Sequence, residues 1–174
     1  MTLNSKCDLG CGLRKTEGFF GVDIYPYEGV DFVQNLGDAQ WKLETDRFEE
    51  VVCRHVIEHV QDMVHFMSEV HRICQDGALV TFETPHFSSM NSWSDPTHRL
   101  HLSSYWYENF QPGHWLAAQA GAFALVRSEV TFGLSLKNKI GHFLYKRLGA
   151  KKWEKNYAFS YPGMDIKTVL KVVK

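Results

Sequence analysis

The sequence predicts an α/β fold in which a parallel, doubly wound sheet is built from strands that alternate with helices. Two observations carry this prediction. Short apolar runs rich in β-branched and aromatic residues recur along the chain, and stretches of helical periodicity fall between several of them. The 174 residues contain no repeat, low-complexity tract or flexible linker. Residues 1–174 are therefore predicted to form a single domain.

The strands are predicted at the short apolar runs. In chain order these are residues 6–9, 19–24, 31–34, 50–54, 78–83, 125–132 and 168–173. The clearest helix covers residues 62–74, where apolar residues such as Phe66 and Val70 recur three and four apart. A second helix is predicted over residues 135–148. Because sheets of this type bind ligands at the carboxyl ends of their strands, function is sought just after each early strand.

Composition excludes several classes of protein. Hydrophobic residues make up 44% and charged residues 22%, which is typical of a globular chain and not of a disordered one. No apolar run approaches the ~20 residues of a membrane-spanning helix, and the first residues lack the apolar segment of a signal peptide. A cytoplasmic location is therefore predicted. The four cysteines form no C-x-x-C pair, so reduced thiols are expected.

Charge is unevenly distributed along the chain. Residues 137–174 hold ten Lys and Arg against two Asp and Glu, whereas the whole chain holds 19 against 20. One interpretation is that the basic helix over residues 135–148 lies on an anionic membrane surface. The alternative is an ordinary surface helix that packs its apolar side onto the sheet.

A glycine turn and a carboxylate follow the first two strands. Gly10 and Gly12 come directly after the first strand, where they allow a tight turn and a close approach to a ligand. Asp23 ends the second strand, where an acid can accept the hydroxyls of a ribose. Lys15 stands where a dinucleotide motif has its third glycine, and only 13 residues separate Gly10 from Asp23. This short crossover leaves no room for a full helix and favours a nucleoside without a pyrophosphate.

Polar residues also follow the third and fourth strands. Asn35 and Asp38 are alternative partners for an adenine edge, and the sequence does not choose between them. His55 and His59 follow the fourth strand, four residues apart. An i, i+4 histidine pair can bind metal, but the H-E-x-x-H motif is absent, so no metal is predicted there.

Together these segments resemble class I S-adenosylmethionine-dependent methyltransferases, and especially small type-11 enzymes. The likeness rests on residues 7–12 (CDLGCG), Asp23, residues 52–60 (VCRHVIEHV) and residues 70–78 (VHRICQDGA). The resemblance implies a seven-stranded, mostly parallel sheet with helices on both faces and an antiparallel last strand. It also implies S-adenosylmethionine as the methyl donor and S-adenosylhomocysteine as the product.

The resemblance assigns roles to residues around the cofactor. Asp23 would take the ribose, Asn35 or Asp38 the adenine, and Arg54 and His55 would lie near the sulfonium. The remaining predicted cofactor contacts are Asp8, Gly10, Cys11, Gly12 and Ile24. Since the first strand begins near residue 6, the sequence lacks the N-terminal helix that often covers the cofactor in this family. A partner subunit, in an oligomer, or the substrate is expected to supply that cover.

A long polar loop after the fifth strand supplies the acceptor side. His86 and His98 are the predicted general bases, with Asp95 as an orienting residue. Predicted substrate contacts are His59, Trp93 and Arg99, the last for an anionic group. The alternative is that these side chains tie down the loop. A metal on His86, Asp95, His98 and His101 matches no firm ligand spacing, so no metal is predicted.

The sequence thus predicts methyl transfer from S-adenosylmethionine to an oxygen or nitrogen of a small-molecule or sugar acceptor. Residues 95–99 (DPTHR) resemble a stretch in methyltransferases of polysaccharide and sugar modification. The alternative is a non-catalytic module that binds S-adenosylhomocysteine or another nucleoside. A nucleic-acid substrate is not predicted, since no Asp/Asn-Pro-Pro-aromatic motif follows the fourth strand.

Overall fold

One seven-stranded sheet organises the protein, in a computed structural model that describes residues 4–174. The strands are β1 (Lys6–Leu9), β2 (Phe20–Asp23), β3 (Phe32–Val33), β4 (Phe48–Arg54), β5 (Cys74–Pro85), β6 (Ala122–Val130) and β7 (Asp165–Val173). Their spatial order is β3-β2-β1-β4-β5-β7-β6. Strand β7 runs antiparallel to both β5 and β6, and the other neighbours are parallel. The predicted fold class is confirmed, and every predicted strand overlaps an observed one.

Five α-helices accompany the sheet within residues 4–174. They are α1 (Met63–Ile73), α2 (Met90–Ser94), α3 (Ala117–Ala120), α4 (Leu136–Leu148) and α5 (Ala150–Asn156). Helix α1 begins where the Asp62 carboxylate accepts the His65 backbone N–H, and it buries the side chains of Phe66 and Val70. Helix α4 begins at Ser135, whose hydroxyl accepts the Asn138 N–H. Both predicted helices are confirmed to within one residue at each end.

The first crossovers of the sheet contain no helix. Within the described residues, irregular chain joins β1 to β2, β2 to β3 and β3 to β4. The prediction that a full helix does not fit after Gly12 is confirmed.

Neighbouring pairs of residues in β4 and β5 differ in exposure. Val51 pairs with Val80 and both are fully buried in the core, whereas Leu79, one residue earlier in β5, is 43% exposed.

An Arg–Glu pair on α1 anchors the crossover between β3 and β4. The Arg72 guanidinium donates to both carboxylate oxygens of Glu69 at 2.8 Å and also to the carbonyls of Trp41 and Leu43. Glu69 in turn accepts the Trp41 backbone N–H at 2.8 Å. These bonds fix the fully buried Trp41 ring against Phe66, with ring centroids 5.4 Å apart. Side-chain hydrogen bonds therefore hold a segment that has no helical hydrogen bonds of its own.

We expect Glu69→Gln to lower the free energy of unfolding at pH 7 by about 2 kcal/mol. Hydrogen bonding to Arg72 lowers the pKa of Glu69, so its stabilising effect is complete above the carboxyl's unfolded pKa and is lost as pH falls through the folded value. Urea unfolding at pH 7 and at pH 3 measures both effects. The difference between wild type and Glu69→Gln should shrink at pH 3. The exposed residue Glu44, changed to Gln, is the control, and an equal loss in both variants would contradict the assignment.

The basic C-terminal region differs in part from its prediction. Helix α4 packs through Gly141, where an added Cβ would lie 2.5 Å from the Tyr161 carbonyl oxygen. Leu136 and Phe143, two apolar residues of α4, are 75% and 68% exposed, so the apolar side of the helix is only partly packed on the protein. Contact with a membrane surface stays a prediction. No helix among residues 4–174 combines the length and the apolar character needed to cross a membrane.

Candidate functional site

A cleft of about 990 Å³ opens at the carboxyl ends of the parallel strands. Loops after β1, β2, β3, β4 and β5 all contribute to it. Eight predicted site residues line it, namely Gly10, Asp23, Ile24, Asn35, His55, His59, His98 and Arg99. A neighbouring depression of about 510 Å³ shares Gly10 and His55 with the cleft and adds Cys11, Gly12 and Arg54. Five predicted residues of the described chain line neither, namely Asp8, Asp38, His86, Trp93 and Asp95.

The glycine turn and Asp23 form one structural unit. The backbone N–H groups of Gly10 and Cys11 both donate to the Val22 carbonyl, at 2.8 and 3.1 Å. The Gly12 N–H donates to Asp23 Oδ2 at 2.8 Å, and the Tyr25 N–H donates to Oδ1 at 3.0 Å. Each carboxylate oxygen keeps a lone pair beyond these bonds. The 8% exposed carboxylate is thus held in place with capacity left for a ligand in the cleft.

We expect Gly10→Ala to abolish binding in this cleft. Gly10 has φ +68°, and an added Cβ would lie 2.2 Å from Val56 Cγ2, so the turn must shift. Gly12 has φ +51° but open space around its Cβ position. Gly12→Ala is therefore the matched control, with a cost of about 1 kcal/mol from backbone strain alone. Ligand titration and thermal unfolding of both variants measure the effect, and equal behaviour of the two would contradict the steric argument.

Asp8 and Arg54 hold the loop between β1 and β2. Asp8 is 1% exposed, and its Oδ2 accepts from Arg54 Nη2, Thr16 N and Thr16 Oγ1, each at 2.7 Å. Arg54 also donates to the Arg14 carbonyl at 3.1 Å. This corrects the expected role of Asp8, which the structure places behind the glycine turn rather than in the cleft. The Oδ1 atom of Asp8 is buried and has no hydrogen-bond partner.

The structure distinguishes Asn35 from Asp38. Asn35 lines the cleft, whereas Asp38 Oδ2 accepts a hydrogen bond from Gln34 Nε2 at 2.8 Å. Asp38 is thus bound within the loop, whereas Asn35 lines the cleft with its Oδ1 accepting the Gly37 N–H at 2.9 Å. Sequence reasoning missed Tyr25 and Tyr27, which line the same cleft with ring centroids 5.7 Å apart. Their position two and four residues after Asp23 was the only available signal.

His55 sits at a conformationally demanding turn after β4. Its φ is +54°, in the left-handed region that few non-glycine residues adopt. Its N–H donates to the Glu83 carbonyl at 2.8 Å, which joins the ends of β4 and β5. The Glu58 carboxylate, 3.3 Å from His55 Nδ1, raises the pKa of this histidine. Glu58 thus favours the protonated form of His55 on the wall of the cleft.

A pair of histidines from two different loops lines the cleft. His59 and His98 contact each other edge to face, with ring centroids 4.7 Å apart. They are 39 residues apart in sequence, and two backbone bonds bring them together: the N–H groups of Arg99 and Leu100 both donate to the Glu58 carbonyl, at 2.7 and 3.0 Å. The Asp95 carboxylate lies nearby, with Oδ2 3.9 Å from His98 Nε2. The expected proximity of Asp95 and His98 is present, and Arg99 lines the cleft beside them.

His86 is separated from this site. It is fully buried, and its ring nitrogens contact Ser88 Oγ at 2.7 Å and Glu154 Oε1 at 3.1 Å. Glu154 also accepts the Ser104 backbone N–H at 2.7 Å. The structure gives His86 no access to a reacting group and thereby corrects the expectation that it is a base. The contact between His86 and Glu154 connects the end of β5 to α5.

Trp93 also lies away from the cleft. Its indole stacks on His101 at a centroid distance of 3.6 Å and donates to the Phe87 carbonyl at 2.7 Å. His101 in turn contacts Ser92 Oγ at 2.9 Å. These contacts favour the loop-fixing alternative for Trp93 and His101, and correct the expected substrate contact of Trp93. The other aromatic residues of this region divide between core and surface, with Trp106 5% and Trp115 65% exposed.

The four cysteines are buried and unpaired, as expected. Burial raises the pKa of Cys11 to about 11 and that of Cys74 to about 12. Since only the thiolate is a strong nucleophile, neither is suited to covalent chemistry at neutral pH. Cys11 therefore acts in the glycine turn through its backbone and its volume.

Comparison with known proteins identifies the family. A methyltransferase-domain family model (Methyltransf_23) matches residues 3–125. The chain belongs to this methyltransferase family. The match spans β1 to β5 and the start of β6, and hence every loop that lines the cleft of this methyltransferase. No curated protein matches the chain.

Solved structures share the fold of this methyltransferase at low sequence identity. An S-adenosylmethionine-dependent methyltransferase from Mesorhizobium loti is 15% identical, with a TM-score of 0.61 over 95% of this chain and 89% of that one. One from Archaeoglobus fulgidus is 17% identical, with a TM-score of 0.58 over 95% and 85%. The [4+2]-cyclase SpnF is 12% identical, with a TM-score of 0.60 over 97% and 74%. At these identities the likeness concerns the fold alone.

Proposed function

We propose that the protein transfers a methyl group from S-adenosylmethionine to an oxygen or nitrogen of a small-molecule or sugar acceptor. One observation carries the proposal: a single cleft connects the glycine turn and Asp23 at one end with the His59–His98 pair at the other. The first end suits a nucleoside, and the second suits a polar acceptor. A methyl donor and an acceptor need this kind of shared, continuous space.

The donor end fits the adenosyl group on three grounds. The close approach of Gly10 to Val56 leaves a backbone surface that a side chain would fill. Asp23 keeps free lone pairs on a fixed carboxylate, as recognition of two ribose hydroxyls requires. Asn35 and Tyr25 line the wall beyond it, where a hydrogen-bonding edge and an aromatic ring suit an adenine. When bound, S-adenosylmethionine supplies an electrophilic methyl carbon on a sulfonium.

The acceptor end is polar. Arg99 supplies a cation for a carboxylate or phosphate of the acceptor, and the Asp95 carboxylate, outside the cleft lining, lies 3.9 Å from His98. His59 and His98 each accept a hydrogen bond or a proton from an acceptor hydroxyl. A sugar acceptor is favoured because its hydroxyls match this polar lining. The resemblance of residues 95–99 to sugar-modifying methyltransferases agrees with that choice.

Radiolabelled methyl transfer tests the proposed reaction. The purified protein is incubated with tritiated S-adenosylmethionine and separate panels of sugar phosphates, nucleotide sugars, amines and catechols. We expect label in one of the sugar panels, and at least about a hundredfold less with the His98→Asn variant. Label only in the amine or catechol panel would contradict the sugar assignment, and label in none of the panels would contradict the proposed acceptors altogether.

A non-catalytic binding module is the second candidate. The crossover from β1 to β2 has no helix, so the donor end is less enclosed than a fully helical crossover would make it. Such a module would bind S-adenosylhomocysteine and transfer no methyl group. Tight binding of S-adenosylhomocysteine together with no labelled product from the panels or from a cell extract would favour it.

A further inference from the structure

Glu58, His59 and His98 place three metal-binding groups around one point. One potential ligand atom from each residue lies within 4.8 Å of the others. Glu58 and His59 belong to the short 3-10 helix after β4 (Ile57–His59), and His98 comes from the loop after β5. A nitrogen–nitrogen–oxygen set of this kind binds first-row transition ions such as Zn²⁺, Co²⁺ and Fe²⁺.

The hydrogen bonds behind the two histidines leave their Nε2 atoms free. His98 Nδ1 lies 3.1 Å from the Ser92 carbonyl, which only accepts, so Nδ1 carries the proton. Thr97 Oγ1 donates to Asp95 Oδ1 at 2.6 Å, and it therefore accepts from His59 Nδ1 at 3.0 Å. In the neutral tautomer that these hydrogen bonds select, each ring has its free lone pair on Nε2. Metal-bound histidines show this same arrangement, in which the second nitrogen donates to a carbonyl or a polar oxygen.

Glu58 is a buried carboxylate with an unsatisfied oxygen. Its side chain is 2% exposed, and Oε2 accepts from Thr84 Oγ1 at 3.0 Å. Oε1 is buried and makes no hydrogen bond, although His55 Nδ1 lies 3.3 Å away. A buried carboxylate oxygen without a hydrogen bond costs free energy when the facing histidine is neutral, and a metal ion beside it would lower that cost. Asp95, whose Oδ2 lies 3.9 Å from His98 Nε2, offers a further oxygen.

We infer that Glu58, His59 and His98 bind a divalent transition-metal ion, with Asp95 as an additional ligand. Two ligand atoms on a tetrahedral ion lie about 3.4 Å apart. The ligand atoms here lie within 4.8 Å of one another, so each distance needs to shorten by at most about 1.4 Å. His59 and His98 line the cleft, so an ion between them leaves its open position toward the acceptor end. This inference departs from the sequence, which predicted no metal.

The role of the ion rests on the proposed function. A hydroxyl oxygen of the acceptor that binds the ion loses its proton at a lower pH than the free hydroxyl does. That proton leaves to solvent, and the oxygen keeps the electron pair it needs as a nucleophile. With the ion bound, the histidines act as ligands and not as the base.

Metal titration of the untagged, chelator-treated protein tests the inference without any methyl donor. We expect one Zn²⁺ or Co²⁺ per chain with a dissociation constant of about 10 µM or below. The Co²⁺ form should show visible absorption typical of four or five ligands. His59→Asn and His98→Asn should each weaken binding at least about tenfold, and exposed Asp95→Asn should weaken it less. The control is His142→Asn, on the exposed surface of α4.

The outcomes separate this inference from the proposed function. Absence of binding at millimolar ion, or equal binding by wild type, His59→Asn and His98→Asn, overturns the metal site and leaves methyl transfer untouched. Metal binding by a protein that does not bind S-adenosylmethionine supports the site and contradicts the proposed function. Where His98→Asn unfolds, the Co²⁺ spectrum of the wild type and the His59→Asn titration still decide the question.

Discussion

Asp23→Ala should weaken binding of S-adenosylmethionine tenfold to a hundredfold. A charge-assisted hydrogen bond to a ribose hydroxyl contributes about 1.5–3 kcal/mol, which corresponds to a change of that size. The substitution also removes the acceptor for the Gly12 and Tyr25 N–H groups. Asp23→Asn removes the charge but keeps one oxygen for one of the two backbone N–H groups, so thermal unfolding of both variants is measured beside affinity to separate loss of the ribose contact from loss of the turn. Calorimetric titration measures the affinity of each variant.

The control for this experiment is Asp76→Ala. Asp76 is exposed and accepts the Lys174 N–H at 3.0 Å, away from the cleft. Its substitution should leave the affinity for S-adenosylmethionine unchanged. If Asp23→Ala binds as tightly as Asp76→Ala, the carboxylate does not contact the ribose, and the orientation proposed for the donor is wrong.

His98→Asn should reduce turnover by a factor of about 100 or more while the affinity for S-adenosylmethionine stays within about twofold of wild type. His98 lies at the acceptor end, opposite Asp23, so the donor does not depend on it. The loss is expected whether the imidazole takes the proton itself or holds an ion. Turnover is measured with the acceptor found in the radiolabel panels.

His86→Asn is the informative comparison for His98→Asn. His86 is fully buried against Glu154, so its substitution should lower the free energy of unfolding by about 2 kcal/mol. Folded protein carrying this change should still turn over at a rate near that of wild type. A catalytic loss in His86→Asn with unchanged stability, together with full activity of His98→Asn, would reverse the two assignments.

Local patterns in the sequence were enough to predict most of the fold. Helix α1 was found from the spacing of Phe66 and Val70, and its cap at Asp62 lies one residue before it. The strands were found from their short apolar, β-branched or aromatic runs, and all of them except β3 contain buried residues. The ends of β5 and β6 were less predictable, because they depend on pairing with other strands. Pairing with β7 carries β5 to Pro85 and starts β6 at Ala122, and the first residue of β5, Cys74, pairs with Phe48 of β4.

The candidate site was predictable only in part. Gly10 and Asp23 follow adjacent strands, so topology alone brings them together. The contact between His59 and His98 depends on the Glu58 carbonyl, which accepts hydrogen bonds from two backbone N–H groups of the loop after β5. Likewise, the burial of His86 depends on Glu154, 68 residues away. A sequence pattern does not contain such long-range contacts, which explains why His86 was predicted to be catalytic.

The central claim is that the cleft holds S-adenosylmethionine, and calorimetric titration tests it most directly. The purified protein is titrated with S-adenosylmethionine, S-adenosylhomocysteine and, as a control, NAD. We expect micromolar binding of the first two and none of NAD, because the glycine turn lacks the third glycine and the helix that would hold a pyrophosphate. Binding of NAD, or of none of the three, would contradict the proposed donor site.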